Sequence, residues 1–328
     1  KSLSPTALES YFSCPYKCFM AQGLKLAERV EGALRPLDSG NFIHSVLEKT
    51  AGSLDRFLSE QDCADFASGA AEELLSKPQY AAMSGDKRGI YTAKALSEEA
   101  VKVSVGAYRQ LANSRFKVSA TEFGCRIPLG EISLWGRIDR VDSCDDLVRI
   151  IDYKTGATDD SASSYYMGLK TQLPLYLLAA SEGKRAAGAY YFPAKVEYSS
   201  SDTSAFCLQG FMDGSPDVVK CSDINVQEKA KSAYVNAYLN GRKLDKAMER
   251  EQFADFLDYA VMVSGGGAGE MLGGNIAPSP VQDACSYCKF GGCCGYDLKK
   301  SGERQIVKVD CRRIAEISRQ CKEGKEHE

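Results

Sequence analysis

Three residues near the middle of the sequence carry side chains that could bind a divalent cation and act on a phosphodiester. Asp139 lies in Gly136-Arg-Ile-Asp-Arg-Val-Asp142, and both Asp152 and Lys154 lie in Ile150-Ile-Asp-Tyr-Lys-Thr-Gly156. Carboxylate oxygens are hard ligands that suit Mg²⁺ or Mn²⁺. A lysine beside such an ion can position a water, or help to deprotonate it, for attack on phosphorus. These residue types therefore point to metal-dependent phosphodiester chemistry.

A β-hairpin would bring these three residues together. Both stretches are apolar or alternating, as buried strands are, and the residues between them, Ser143-Cys-Asp-Asp146, are rich in turn formers. Asp139 and Asp152 then lie on adjacent strands. Because side chains alternate along a strand, Asp152 and Lys154 share a face.

The alternative is that these acidic residues only make an exposed hairpin soluble. Asp152, however, lies in a hydrophobic run, where an unpaired carboxylate is costly. A buried acid needs a partner, and a metal ion is one.

Composition limits the classes of protein. The chain has 328 residues, 44% of them hydrophobic and 26% charged, which suits one large domain or two modest ones. No apolar run approaches the roughly 20 residues of a membrane helix, and no signal peptide is visible. The net charge of −3 argues against a surface that coats nucleic acid nonspecifically, although a local basic groove stays possible. Because the chain begins at Lys1 and is patterned by Ser4, we expect a piece of a longer protein.

The thirteen cysteines cluster towards the two ends of the sequence, unlike an even disulfide framework. We therefore expect a reducing compartment and ligation of a metal or cluster. Cys285-Ser-Tyr-Cys288 followed by Cys293-Cys294 presents several thiolates within one short loop. The spacing suits zinc or an iron–sulfur cluster equally, and reduced free thiols are the remaining alternative. A fourth ligand could come from any of Cys14, Cys18, Cys311 and Cys321.

The rest of the pattern predicts an α/β core with added helices. Ser4-Pro5 starts a helix, and Asp38 begins a longer one that carries His44. A lone histidine on a helix is more often structural than a ligand, and the chain has only one other, His327. Residues 50–115 read as a helical insert and 116–197 as the sheet core, while 223–275 read as largely helical with a flexible glycine-rich loop at 263–269.

Within the sheet core, three strands form an antiparallel meander. An amphipathic helix over 163–181 follows, with Gln172 and Tyr176 one turn apart on one face. The strand at 186–192 then returns in parallel by a crossover. The predicted order is strand, strand, strand, helix, strand.

These motifs, in this order, resemble the RecB-like branch of the PD-(D/E)xK nucleases. The matching motifs are Gly40-x₃-His44, Gly136-Arg-Ile-Asp139, Asp152-Tyr-Lys154-Thr-Gly156 and Gln172-x₃-Tyr176. The opening Leu3-Ser-Pro and Cys14-Pro, with Cys14 far upstream of Cys285-x₂-Cys288-x₅-Cys294, is similar to the iron–sulfur nuclease domains that end AddB-type helicase–nuclease subunits.

The resemblance implies a fold and a role for each matching residue. The fold would be a single restriction-endonuclease-like domain over 1–328, a mixed sheet flanked by helices, with a cysteine cluster joining its two ends. The metal ligands would be His44, Asp139, Asp152 and the backbone carbonyl of Tyr153. Lys154 would be the catalytic lysine, and Gln172 and Tyr176 would lie near the active site and the DNA. The cluster ligands would be Cys14, Cys285, Cys288 and Cys294, which leaves Cys18 and Cys293 outside the site.

The resemblance also implies an activity and partners. We expect a Mg²⁺- or Mn²⁺-dependent DNA exonuclease domain carrying a 4Fe–4S cluster, or zinc as the lesser alternative. Its substrate would be single-stranded DNA from a helicase in double-strand break repair and recombination. Its partners would be a helicase domain of the same polypeptide and an AddA-like helicase–nuclease partner, in the bacterial cytoplasm at the nucleoid, with no membrane.

Two other classes remain open at this stage. A stand-alone iron–sulfur nuclease of the CRISPR-adaptation type would have the same site, but such chains are typically shorter and lack these additional helices. A non-enzymatic, zinc-stapled DNA-binding module would require Asp139, Asp152 and Lys154 to be incidental. Mg²⁺-dependent cleavage separates an enzyme from such a module.

Overall fold

A mixed β-sheet runs through the middle of the molecule. The computed structural model describes residues 2–27, 36–83, 85–156, 158–195 and 206–326. Within these residues, seven strands form one sheet in the order β1-β3-β4-β5-β6-β7, and β2 pairs with β3 beside that path. The strands are β1 (Ser2–Leu3), β2 (Lys117–Leu129), β3 (Ile132–Cys144), β4 (Leu147–Lys154), β5 (Arg185–Pro193), β6 (Gln209–Asp213) and β7 (Ala247–Met248).

Helices cover both faces of this sheet. They are α1 (Pro5–Ser13), α2 (Pro15–Cys18), α3 (Pro36–Ala51), α4 (Glu60–Leu75), α5 (Lys87–Ala112), α6 (Ala162–Tyr166), α7 (Gln172–Ala180), α8 (Pro216–Ser222), α9 (Arg250–Leu272), α10 (Gly291–Cys294), α11 (Leu298–Ser301) and α12 (Cys311–Glu326). A π-helical turn at Phe19–Gly23 and a 3₁₀ turn at Pro78–Met83 complete the set. Helices α3, α4 and α5 share a core with one face of the sheet, whereas α1, α7, α9 and α12 contribute to the core on the other face.

The predicted order of strands and helix is confirmed. β2, β3 and β4 form an antiparallel meander, and β5 returns parallel to β4 after α7. The β3–β4 turn falls at Asp145 and Asp146, within the predicted turn. The fold class, an α/β PD-(D/E)xK-like core with additional helices, is therefore as expected.

The helix expected over 163–181 is two helices. The amide of Leu169 bonds back to the carbonyl of Ser164, 2.9 Å away, which ends α6. A new start follows at Thr171 and Gln172, whose amides both bond to the Glu9 carboxylate. A distant side chain thus sets the start of α7, which the local pattern did not predict.

The helical region predicted over 223–275 is corrected to α9 alone. Residues 223–246 contain no helix, because Asp223 draws the chain back on itself, accepting from Ser232 Oγ at 2.8 Å and from Ala233 N at 3.1 Å, and β7 follows at Ala247–Met248. The glycine-rich run at 263–269, predicted to be a flexible loop, lies inside α9. Ser264 and Ala268 are buried there, and this packing outweighs the low helix propensity of glycine.

A buried ion group joins β3 to β4 beneath the catalytic motif. The Asp142 carboxylate accepts from Arg140 Nε at 2.6 Å and from Arg149 Nε at 2.9 Å, and all three side chains are fully buried. Burial acts to raise the pKa of Asp142, but the two guanidinium groups lower it overall. Arg140 also donates to Gln110 of α5 at 3.0 Å, so this group ties the helical insert to the sheet.

No helix in the described ranges is both long and apolar enough to cross a membrane.

Candidate active site

The two candidate carboxylates meet where β3 and β4 run side by side. Arg140 pairs with Ile151, so Asp139 and Asp152 follow on neighbouring strands. The amide of Tyr153 donates to Asp139 Oδ2 at 2.8 Å. Lys154 Nζ lies 2.6 Å from Asp152 Oδ2, as the shared strand face predicts. Asp152 is only 5% exposed, so its charge needs these neighbours.

His44 reaches the same place from α3. Its Nε2 lies 2.6 Å from the Tyr153 carbonyl oxygen, and its Nδ1 lies 3.7 Å from Asp139 Oδ2. The four groups expected as metal ligands are therefore adjacent to one another. The Tyr153 carbonyl oxygen faces the His44 side chain, so a cation placed there could also contact it.

The Gly40-x₃-His44 spacing has a steric basis. Gly40 lies one helical turn before His44, and a Cβ there would lie 3.0 Å from Thr155 Oγ1. The absence of that atom lets α3 approach the end of β4 closely. The glycine thus helps to place His44 beside Tyr153.

The electrostatics favour a cation between the acids. Burial, and then the nearby Asp152 carboxylate, raise the pKa of Asp139 to about 6, while His44 and the Tyr153 amide act in the opposite direction. Two acids this close cannot both ionise cheaply without a positive partner. Oxygen donors with one imidazole suit Mg²⁺ or Mn²⁺. Within the described ranges, no three His, Cys, Asp or Glu side chains are grouped closely enough to hold a metal ion by themselves.

Gln172 and Tyr176 of α7 have different surroundings. Gln172 Nε2 donates to Asp152 Oδ1 at 2.9 Å, so it belongs to the carboxylate cluster. Tyr176 is 5% exposed and packs on β3 at Gly136, where a Cβ would overlap its phenol ring. Burial raises the pKa of Tyr176 to about 12. The structure therefore brings Tyr176 to the strand that carries Asp139, as a packing contact.

Two acidic residues near the site were not identified from the sequence. Glu9 of α1 accepts from Thr171 N at 2.7 Å and Gln172 N at 2.9 Å, and so caps the helix that carries Gln172. Glu122 of β2 lies 2.6 Å from Arg137 Nε, and burial raises its pKa, with Glu48 adding to the rise and Arg137 and His44 opposing it. Glu9 lies within the stretch from Leu3 to Cys14 that resembles the nuclease family, and this could have drawn attention to it. No motif in the sequence pointed to Glu122.

Four cysteines line a single cavity of about 200 Å³ at the C-terminal end of α1. They are Cys14, Cys285, Cys288 and Cys294. Burial raises the pKa of the Cys285 thiol, and the other three sulfurs add to the rise. Four thiols around one cavity suit a four-iron cluster or a tetrahedral zinc ion.

Three other cysteines near the two ends of the sequence lie outside this cavity. Cys18 Sγ donates to the Ala7 carbonyl and Cys293 Sγ to the Phe290 carbonyl, each at 3.3 Å, and neither lines the cavity. Cys311 is buried with α12. All thirteen cysteines are free thiols, and none forms a disulfide.

Hydrogen bonds close the two ends of the domain beside these thiols. Val281 N donates to the Ser13 carbonyl at 2.9 Å, and the Arg304 guanidinium donates to the Phe12 carbonyl. Tyr16 Oη donates to the Cys293 carbonyl at 3.3 Å. The cysteine cavity therefore lies where the C-terminal end of α1 is hydrogen-bonded to the segment that begins near Val281.

A sheet of this topology, with paired acids and a lysine at the ends of its central hairpin, defines a class of nuclease. The chain belongs to the PD-(D/E)XK nuclease superfamily, whose family model matches residues 2–295.

Curated relatives are more specific. A protein of Exiguobacterium sibiricum, named as a subunit of an ATP-dependent helicase/deoxyribonuclease, is 28% identical over 95% of this chain and 32% of its own length. Proteins of the same name from Moorella thermoacetica and Caldanaerobacter subterraneus are 27% and 29% identical, over 93% and 91% of this chain and 31% and 30% of their own lengths. The chain thus spans about a third of the length of these relatives.

Proposed function

We propose that this domain hydrolyses DNA phosphodiester bonds in a reaction that depends on a divalent metal. The observation that carries the proposal is the convergence of His44, Asp139, Asp152 and Lys154 beside the C-terminal end of β4, in the interior of the sheet. His44, Asp139, Asp152 and the Tyr153 carbonyl would hold Mg²⁺ or Mn²⁺. When bound, such an ion activates a water and neutralises charge on the phosphate.

The other residues of the site position the reacting groups. Gln172 holds Asp152 Oδ1 and Lys154 lies at Oδ2, so both oxygens of that carboxylate are oriented. The Lys154 side chain is 39% exposed, which lets its ammonium reach a water or a phosphate oxygen at the mouth of the site. There it would orient the attacking water and stabilise the charge that develops on the phosphate.

The substrate we propose is single-stranded DNA delivered by a helicase, cut exonucleolytically during double-strand break repair and recombination. The relatives named as parts of a helicase/deoxyribonuclease support this, as does the acidic chain, which is poorly suited to capture DNA unaided. The chain would act as one domain, 1–328, of a longer polypeptide with a helicase segment and an AddA-like partner. Its free thiols fit the reducing bacterial cytoplasm, close to the nucleoid.

The cysteine cavity would hold a 4Fe–4S cluster through Cys14, Cys285, Cys288 and Cys294. Such a cluster would act as a staple, with no redox step in the reaction. Anaerobically purified protein should be brown, with a broad band near roughly 400 nm and about four irons per chain. Colourless protein with one zinc would leave the nuclease proposal standing and reassign the cavity to zinc.

The test of the nuclease proposal is Asp152→Ala. Without this carboxylate the site loses a ligand and the partner of Lys154, so cleavage of a single-stranded oligonucleotide in Mg²⁺ should be abolished while the fold is retained. Asp145→Ala, in the exposed β3–β4 turn, is the matched control and should cut normally. Residual Mg²⁺-dependent cutting by Asp152→Ala would remove Asp152 from the site. Absence of divalent-dependent cleavage in the unsubstituted protein would favour a DNA-binding module instead.

A further inference from the structure

The only tryptophan of the chain lies half exposed on the strand that carries Asp139. Trp135 of β3 is 52% exposed, whereas its neighbour Leu134 is fully buried. Tryptophan has a large apolar area that a surface position leaves in water. This exposed ring is therefore a candidate for a ligand contact.

Trp135 and Arg137 lie on the face of β3 that is turned away from α7. Leu134, Gly136 and Ile138, which alternate with them along the strand, pack on the side of the sheet that α7 covers. Arg137 Nε is 2.6 Å from Glu122 Oε2, and the Glu122 carboxylate is close enough to His44 and Asp139 to interact with them electrostatically. Four residues of strand separate Trp135 from Asp139, about 13 Å.

The neighbouring strand completes a flat, basic path along this face. Arg126 of β2 pairs with Trp135, and its guanidinium carbon lies 5.7 Å from the centroid of the indole ring. Arg126 Nε donates to Ser133 Oγ at 2.9 Å, which holds the guanidinium beside the ring. Gly124 pairs with Arg137 and has no atom within 4 Å of where a Cβ would be. No side chain of Gly124 therefore interrupts the path between the indole and the acids.

We propose that Trp135, with Arg126 and Arg137, is a stacking platform for a base of the single-stranded DNA substrate, a few nucleotides from the phosphate that is cut. Base–aromatic stacking is tolerant of sequence, which a nuclease that digests any strand requires. The two guanidinium groups would contact flanking phosphates. An otherwise acidic chain gains a local hold on DNA in this way. The proposal rests on the nuclease function proposed above.

Tryptophan fluorescence measures this contact directly, because Trp135 is the only tryptophan of the chain. Titration of the full chain with a twelve-residue oligothymidylate, with Ca²⁺ in place of Mg²⁺, should quench the tryptophan emission. Quenching should saturate in parallel with the anisotropy of a labelled copy of the same oligonucleotide. Emission that is unchanged at saturating DNA would overturn the proposal.

Substitution gives the second measurement. Trp135→Ala should weaken oligonucleotide binding by roughly 5- to 150-fold, the loss of one stacked base. Trp135→Phe should retain most of the affinity. Tyr91→Ala is the matched control, since Tyr91 is a 76% exposed aromatic on α5 of the helical insert, and it should bind DNA normally.

Abasic substitution locates the stacked base. A series of oligonucleotides, each lacking one base, should show a loss of affinity at one position, and that loss should vanish in Trp135→Ala. Equal affinity of Trp135→Ala and the unsubstituted protein across the series would assign the exposed ring to another contact, such as a protein partner, and overturn the platform. The Asp152→Ala test is independent of this series, so failure of the platform and failure of the nuclease function can be told apart.

Discussion

At the scale of single residues, the orientation of Asp152 is fixed from both sides. Gln172 donates to Oδ1 and Lys154 lies at Oδ2, so the carboxylate has little freedom to rotate. A site that is preorganised in this way pays a smaller conformational-entropy cost when its ligand binds. The arrangement depends on α7, since that helix carries Gln172.

The role of Glu9 in holding the start of α7 can be tested by substitution. This residue accepts the amides of Thr171 and Gln172, and burial raises its pKa despite those two bonds. Glu9→Ala should remove the cap, lower the free energy of unfolding by about 1 kcal/mol and slow cleavage by about tenfold. Denaturant unfolding and single-turnover cleavage measure the two effects.

Glu9→Gln is the control, because its amide oxygen can still accept from the helix. It should recover most of the activity and most of the stability lost in Glu9→Ala. An alanine variant that cleaves at the rate of the unsubstituted protein would show that α7 holds Gln172 in place without the cap.

The sequence indicated which candidate catalytic residues lie together, but it did not indicate the residues that support them. Asp139, Asp152 and Lys154 could be grouped because alternation along a hairpin is a local property. Glu9 could not be linked to Gln172, because their contact joins two helices far apart in the chain and depends on how α1 packs. Glu122 likewise reaches Arg137 only through the pairing of β2 with β3.

At the scale of elements, ion pairs join α12 to α9 in addition to the apolar residues of both helices in the shared core. Asp255 of α9 accepts from Arg319 Nη2 at 2.8 Å and from Lys322 Nζ at 2.9 Å. Burial acts to raise the pKa of Asp255, but the two cations lower it overall. A carboxyl whose pKa is depressed by folding stabilises the fold above its unfolded pKa and loses that effect as the pH falls through the folded value.

Asp255→Asn should therefore lower the melting temperature at pH 7. This loss should begin to shrink as the pH falls below about 4, where the unfolded chain takes up the proton, and should vanish only below the lowered pKa of folded Asp255. The gap in melting temperature between this variant and the unsubstituted protein should also narrow in high salt. Thermal unfolding across a pH series measures the gap. A gap that persists unchanged at pH 3 would contradict the ion-pair explanation. Asp297→Asn is the control. Asp297 forms an exposed ion pair with Lys300, so this variant should differ little from the unsubstituted protein in melting temperature at any pH.

The elements predicted correctly were those with strong local periodicity. The meander, the crossover strand and the helices of the insert all follow such patterns. Residues 223–249 were assigned incorrectly because Asp223 imposes side-chain hydrogen bonds that compete with a helix. The glycine-rich part of α9 was assigned incorrectly because its burial, with Gly267 against Phe12 of α1, is a long-range contact that a local pattern does not show.

At the scale of the whole molecule, the domain is closed where its two ends meet. Ser13 and Val281 are joined by a backbone hydrogen bond, and the four thiols of the cavity flank that junction. A link across about 270 residues restricts the unfolded chain strongly. A bound cluster at this place would therefore add to the stability of the entire domain.

Cys288→Ala should accordingly lower the iron content, the melting temperature and the affinity for single-stranded DNA together. Cys293→Ala is the matched control, since the Cys293 sulfur faces the Phe290 carbonyl outside the cavity, and it should retain all three. Iron analysis, thermal unfolding and anisotropy binding measure the three properties. Unchanged melting in a Cys288→Ala protein that has lost its iron would refute the role as a staple.

The junction of the ends also sets an order of events during synthesis. A ribosome adds about 5–20 residues per second, so Val281 follows Ser13 by roughly 13 to 54 seconds. Throughout that interval the carbonyl of Ser13 has no Val281 to bond, and Cys14 has none of the three later thiols beside it. The first helix to be made is therefore among the last parts of the domain to be completed.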